Sequence, residues 1–147
     1  MKPLLAALPL VLAVAIAADV KEIVQPKEVA ARLSANGAKP VMIMVGPNFL
    51  YRQNHIPGSI FGGQGSKPEG IEILKAAAAK LSKDSEIVLY CGCCPWDKCP
   101  NLNPAVAMLK EMGFTKVKAM MVPDTFKKDW TDQGYPVEQS LDLEQKK

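Results

Sequence analysis

Short apolar runs alternate with amphipathic stretches along the chain. From Pro26 to Ala35, Val29, Ala30 and Leu33 make an apolar stripe at helical spacing, Pro26 suits the first turn, and Asn36-Gly37 stops it. Val41 to Val45 is a continuous apolar run of strand length, the pattern of a strand buried on both faces. Pro47 to Gly65 reads as a loop around a short Ser59-Ile60-Phe61 segment, with Gly62-Gly63 and Gly65 as breakers. Ile71, Leu74, Ala78 and Leu81 return to helical spacing, and Glu86 to Tyr90 gives a second buried strand. After a Cys- and Pro-rich loop from Cys91 to Leu102, Asn103-Pro104 reads as a cap and first-turn proline. The helix it opens runs through Met112 and ends at Gly113. Val117 to Val122 is a third strand, and Asp124 caps a helix reaching Gln133, stopped by Gly134. This alternation predicts a single α/β domain, its mainly parallel central sheet covered by helices on both faces.

The N-terminus changes the picture of where the domain works. Lys2 is followed by an apolar run from Leu4 to Ala17 that ends in Ala15-Ile16-Ala17, before the polar Asp19 and Lys21. A positive start, a short apolar core and a small-residue exit predict a secretory signal over residues 1–17. The run is shorter than the ~18 to 20 residues that span a bilayer. The expected mature chain is therefore exported, periplasmic or secreted, with no membrane span after cleavage. Composition adds exclusions more than assignments. A hydrophobic share of 48% with 22% charged residues excludes a disordered tail. The formal charge of +3 is too mild and scattered to predict nucleic-acid binding, and Arg32 and Arg52 are the only arginines. No Gly-rich phosphate loop follows a strand, so nucleotide binding has no support.

The chemistry concentrates in one loop. All four cysteines, Cys91, Cys93, Cys94 and Cys99, lie between the end of a buried strand and the start of a helix. In open parallel sheets ligands bind at that strand end. The coming helix turns its free N–H groups toward the loop, and successive loop amides can form an anion nest. Both favour thiolate over thiol, so a Cys here should have a depressed pKa and be nucleophilic. A loop merely closed by disulfides is the structural reading, and four cysteines permit three pairings. A disulfide across so few residues constrains little of the unfolded chain, however, so stability alone explains the cluster poorly.

At this point the chain resembles a known family. His55-Ile56-Pro57-Gly58-Ser59 is similar to the HIPG[AS] signature of rhodanese-like domains. Ile87-Val88-Leu89-Tyr90-Cys91 resembles their strand ending in the active-site Cys. Leu109-Lys110-Glu111-Met112-Gly113-Phe114 with Val117 resembles the helix and strand that follow. Trp130 with Gly134-Tyr135-Pro136-Val137 is similar to the closing W-x3-G-x-P-V, and the helix from Pro26 sits where the family has its first. The resemblance places the domain at residues 23–137, with a polar C-terminal tail at 138–147 expected to fray. It implies sulfur transfer: an active-site Cys takes sulfane sulfur from a small donor such as thiosulfate, becomes a persulfide, and passes sulfur to a thiol acceptor. By position Cys91 is that nucleophile, with Gly92 and Lys98 beside it as substrate-binding residues, and no cofactor is required.

The loop also departs from the family pattern. It is longer than the usual C-x4-R ring by about five residues, and Lys98 is its only cation. An ammonium is a poorer anion clamp than a planar guanidinium. Upstream, Met44-Val45-Gly46 stands where the family has Asp-Val-Arg. The extra thiols open two other chemistries. Cys91 and Cys94 form a C-x-x-C that allows a reversible disulfide, with Cys93, Cys94 or Cys99 as resolving thiols and a redox partner protein implied. Clustered thiolates of Cys91, Cys93, Cys94 and Cys99 also suit soft metals, Cu(I) better than Zn given the tight spacing. Met42, Met44, Met120 and Met121 read as core fillers. His55, the only His, reads as a hydrogen-bonded brace of its loop. Trp96 reads as packing its own loop and Trp130 as core. Lys127-Lys128 and Lys146-Lys147 read as ordinary surface charge.

Overall fold

A computed structural model describes residues 22–140. Their order is β1 (Ile23–Val24), α1 (Pro26–Ser34), β2 (Val41–Met44), α2 (Asn48–Gln53), β3 (Ile60–Phe61), α3 (Pro68–Ala78), β4 (Ile87–Tyr90), α4 (Leu102–Glu111), β5 (Val117–Met120) and α5 (Phe126–Asp129). Single 3₁₀ turns lie at Trp96–Lys98 and Thr131–Gln133. The five strands form one sheet in the order β1-β5-β4-β2-β3, and every pairing in it is parallel. The expected α/β fold class is what the chain adopts. The expected signal at residues 1–17 and most of the polar tail lie outside the described residues. Among the described residues no helix is long and apolar enough to cross a membrane.

Alternation along β4 divides the core in two. Ile87, Leu89 and Cys91 join Leu74 and Ala78 of α3 and Ala105, Val106 and Leu109 of α4 on one face. Val88 and Tyr90 join Val29 of α1, Met42, Met44, Met120, Phe126 and Trp130 on the other. Met42, Met44 and Met120 are fillers there, as expected, whereas Met121 follows the end of β5 and is only half-buried. Strands buried on both faces need helices on both faces, which is the reason for the continuous apolar runs.

Several element boundaries differ from the pattern. β1 has two residues, too few to register as a strand, and it gains its place by pairing Ile23 and Val24 with Ala119 and Met120. α2 fills part of the segment expected to be a loop. It has six residues and none of them is buried, so it shows no apolar stripe. α3 begins at Pro68 rather than Ile71, with Pro68 and Glu69 as first-turn residues. Gly70 lies within its first turn, where a Cβ would lie 2.0 Å from the Gln64 carbonyl oxygen, so the helix start packs directly on backbone. α4 begins two residues earlier than expected, with Asn101 at the cap position and Pro104 still in the first turn. Thr125 replaces Asp124 as the cap of the last helix, its hydroxyl accepting from Lys128 N–H at 3.2 Å.

The HIPGS segment is braced as expected. His55 is buried, its Nδ1 sits 2.6 Å from the Tyr51 carbonyl oxygen, and its ring stacks on Tyr51 at 3.9 Å. Ser59 Oγ lies 2.7 Å from the Tyr90 hydroxyl, which also accepts from Ile56 N–H at 3.1 Å. The motif is thus pinned to the residue before Cys91. The start of the expected fraying tail is tied down as well: His55 and Glu138 exchange both backbone hydrogen bonds, at 2.9 and 2.8 Å.

Candidate active site

Parallel strands put all their C-terminal ends on one edge of the sheet, and four segments converge there. Cys91 follows β4 and points to the α3–α4 face, where it is 1% exposed. Its sulfur would lie 3.1 Å from a Cβ on Gly46, so the second residue after β2 must stay small for Cys91 to occupy this space. Gly92 then turns the chain with φ +84°, and a Cβ there would meet Phe126 Cβ at 2.5 Å and Phe126 N at 2.8 Å. Only glycine satisfies both the left-handed backbone and the close approach. Gly92 in turn accepts the Phe126 N–H at 3.2 Å, locking the loop to α5.

The thiols then form a contact chain. Cys91 Sγ lies 3.3 Å from Cys93 Sγ, and Cys93 Sγ lies 2.8 Å from Cys94 Sγ. Cys94 also faces the Lys98 carbonyl oxygen at 3.8 Å. The sulfurs of Cys91, Cys93 and Cys99 are all within 4.8 Å of one another. Cys93 is thus the shared neighbour of the C-x-x-C pair, Cys91 and Cys94. Trp96, expected to pack its own loop, packs against the core cluster that contains Cys91, and its backbone N–H donates to the Pro123 carbonyl at 3.2 Å.

Asn101 organises the cluster, and the sequence reading passed over it. It is 1% exposed and its side chain does not cap α4. Instead Oδ1 accepts the Ser66 N–H at 3.0 Å, while Nδ2 lies 3.3 Å from Cys91 Sγ and 3.6 Å from Cys93 Sγ. With the cap expected at Asn103, Asn101 falls inside the loop and carries no signal of its own. The signal that could have found it is its position just after the last loop Cys.

These contacts divide the thiols electrostatically. The hydrogen bond from Cys91 draws Cys93 down to about 6, against the cost of burial, with help from Cys94 and Cys99. Cys99 is lowered to about 7, first by its contact with Cys91 and then by the N–H groups of Asn101 and Leu102 at the start of α4. Cys91 is raised instead, because it donates to Cys93 and Cys99 and is desolvated. Cys94 is pushed up to about 12 by burial and by Cys93. The depressed pKa expected of the strand-end loop therefore falls on Cys93 and Cys99 and not on Cys91. Helix and loop amides reach Cys99, while Cys91 lies too deep to be the charged member.

A cavity of about 520 Å³ opens beside this cluster. Phe49 and Leu50 of α2 form one wall, Phe126 and Lys127 of α5 another, and Gly92 and Cys93 the floor. Cys93 and not Cys91 reaches it. Lys98 is exposed on its 3₁₀ turn and takes no part in the lining, whereas Lys127, read as ordinary surface charge, does. Thr131 also lines the cavity, and its hydroxyl is the buried side-chain oxygen among the described residues that has no hydrogen-bond partner. Arg32 is engaged far along the chain with Glu86, at 2.8 and 2.6 Å.

Comparison with known proteins agrees with this architecture. No curated protein matches the chain. Among solved structures, the Alr3790 protein of Anabaena sp. superposes with TM-score 0.62 at 21% identity, over 80% of this chain and 93% of that one. The BH2092 protein of Bacillus halodurans gives 0.61 at 21%, over 82% and 78%. The polysulfide-sulfur transferase homodimer of Wolinella succinogenes gives 0.55 at 16%, over 84% and 82%. These likenesses are of fold. A family model described as rhodanese-like domain matches residues 25–121, well over half of the sequence. With its parallel sheet, its HIPGS brace and a cysteine closing β4, the chain belongs to the rhodanese-like family, within the sulfurtransferase superfamily.

Proposed function

We propose that this domain transfers sulfane sulfur through two thiols, with Cys93 receiving sulfur from the cavity and Cys91 carrying it as a buried persulfide. The observation that carries the reading is the pairing, 3.3 Å apart, of a cavity-lining thiol with one that is 1% exposed, where β4 ends. Cys93 supports entry because it lines the cavity and its contacts with Cys91, Cys94 and Cys99 favour its thiolate. In the first step it attacks the outer sulfur of thiosulfate; the sulfur–sulfur bond breaks, sulfite leaves with the bonding pair, and Cys93 becomes a persulfide anion. Cys91, already the hydrogen-bond donor, gives its proton to the outer sulfur. The Cys91 thiolate then takes that sulfur, leaving the Cys91 persulfide and a Cys93 thiolate, with no net oxidation. Reversal returns sulfur to Cys93 for delivery to a thiol acceptor in the cavity. The Asn101 amide supports both sulfurs as a fixed donor, the part an anion-binding arginine would otherwise play.

The apolar walls of Phe49, Leu50 and Phe126 with the Thr131 hydroxyl suit an acceptor larger than cyanide, with an apolar body. The test is single-turnover release of sulfite from thiosulfate by the reduced protein. Cys93→Ser should abolish the release, whereas Cys91→Ser should keep it and lose the protected persulfide. Equal release by Cys93→Ser and wild type would overturn the order of the steps. Release of hydrogen sulfide with formation of a Cys91–Cys93 disulfide would instead identify a dithiol redox protein.

A further inference from the structure

We infer that Cys91, Cys93 and Cys99 form a three-sulfur site for a single Cu(I) ion, with Cys94 outside it. The three sulfurs already stand within 4.8 Å of one another. Thiolates bound at about 2.3 Å to one metal in a trigonal plane sit about 4 Å apart, so small side-chain rotations close the set. The donor atoms are all sulfur. Among the described residues no imidazole or carboxylate joins the group: His55 is held by Tyr51, and Asp97 is exposed on its 3₁₀ turn. A soft, three-coordinate donor set selects Cu(I) over Zn, which takes four ligands in closed sites.

The surroundings suit a metal–thiolate centre that carries excess negative charge. Asn101 Nδ2 lies within reach of two of the sulfurs, at 3.3 Å from Cys91 and 3.6 Å from Cys93. Cys91 forms the dry side and Cys93 faces the cavity, which gives the ion a way in. Cys94 is the residue that separates this site from a four-cysteine cage. It touches Cys93 and the Lys98 carbonyl but lies outside the mutual group. Binding exchanges the remaining thiol protons for one copper ion, with no change in oxidation state.

The inference goes beyond sulfur transfer but uses the same sulfurs, so copper and sulfane sulfur should compete. The experiment is an anaerobic titration of the reduced, metal-free protein with Cu(I) against a chromophoric Cu(I) chelator, with X-ray absorption on the product. The expected result is one copper per chain with three sulfur neighbours. Cys91→Ser, Cys93→Ser and Cys99→Ser should each weaken retention by at least about tenfold, with Cys94→Ser close to wild type. Far-UV circular dichroism of each variant checks that a loss is not unfolding; a misfolded variant is replaced by the alanine variant. Loss of copper to the chelator by the wild type, or an equal loss in Cys94→Ser, overturns the site. If copper is lost but thiosulfate still loads sulfur, the metal proposal falls and sulfur transfer stands. The reverse outcome removes sulfur transfer and keeps the metal.

Discussion

Replacing Asn101 with Leu removes an N–H donor from two sulfurs and takes the acceptor from the Ser66 N–H. The lost hydrogen bond should cost about 0.5–1.5 kcal/mol in urea unfolding. The lost donor should also raise the Cys93 pKa above its value of about 6, read as thiolate absorbance against pH. A variant with unchanged titration would mean that Asn101 serves only the backbone. The same pKa sets the pH profile of the first step. Cys93 must be ionised to attack, so the rate of sulfite release should rise with pH through about 6 and level off above it. A profile that rises only near the ordinary thiol range would show that Cys93 is not the attacking group. Asn101 was hidden in the sequence because it fell inside the expected loop, two residues before the expected cap Asn103, and burial against sulfur leaves no local trace. Cys91, by contrast, was legible as the end of a strand, but its protonation was not. That depends on neighbours brought in by the loop's fold.

At the scale of elements, the loop after β4 is held by α5 as much as by its own turns. Gly92→Ala forces a side chain into the left-handed region and against the Phe126 backbone, and should cost at least about 1–3 kcal/mol of stability. A stable, active Gly92→Ala would show that the loop does not need this approach. The other end of β4 is tied differently: Glu86 accepts both Arg32 nitrogens of α1 and lies 3.2 Å from Lys118 of β5. Chiefly through Arg32, its carboxyl is lowered from 4.5 to about 2. A depressed carboxyl stabilises the fold above its ordinary pKa, and this contribution is lost as pH falls from 4.5 toward 2. The groups are partly exposed, so Glu86→Gln should cost about 1–2 kcal/mol at pH 7, with the gap to wild type closing below pH 4. A gap independent of pH would contradict the ion pair. The longer elements, α1, β2, β4, α4 and β5, were legible because both the apolar runs and their stops are local. β1 and α2 were not: one exists through pairing with β5, and the other buries none of its residues.

For the whole molecule, the all-parallel order β1-β5-β4-β2-β3 explains why chemistry collects at one edge. It brings α2, the cysteine loop and α5 to one cavity although the sequence spreads them from Asn48 to Asp129. The family and the fold class could be read from ordered motifs, and HIPGS proved to be a brace pinned to Tyr90. The cavity could not be read, since its walls are joined only by that topology, and Lys127 looked like any surface lysine. The central claim, that sulfur rests on Cys91 after entering at Cys93, meets its most direct test in intact mass of the reduced, metal-free protein before and after thiosulfate, followed by peptide mapping. The account predicts a gain of one sulfur atom, located on Cys91 in the wild type and on Cys93 in Cys91→Ser. A protein that gains no sulfur from thiosulfate or polysulfide would contradict it.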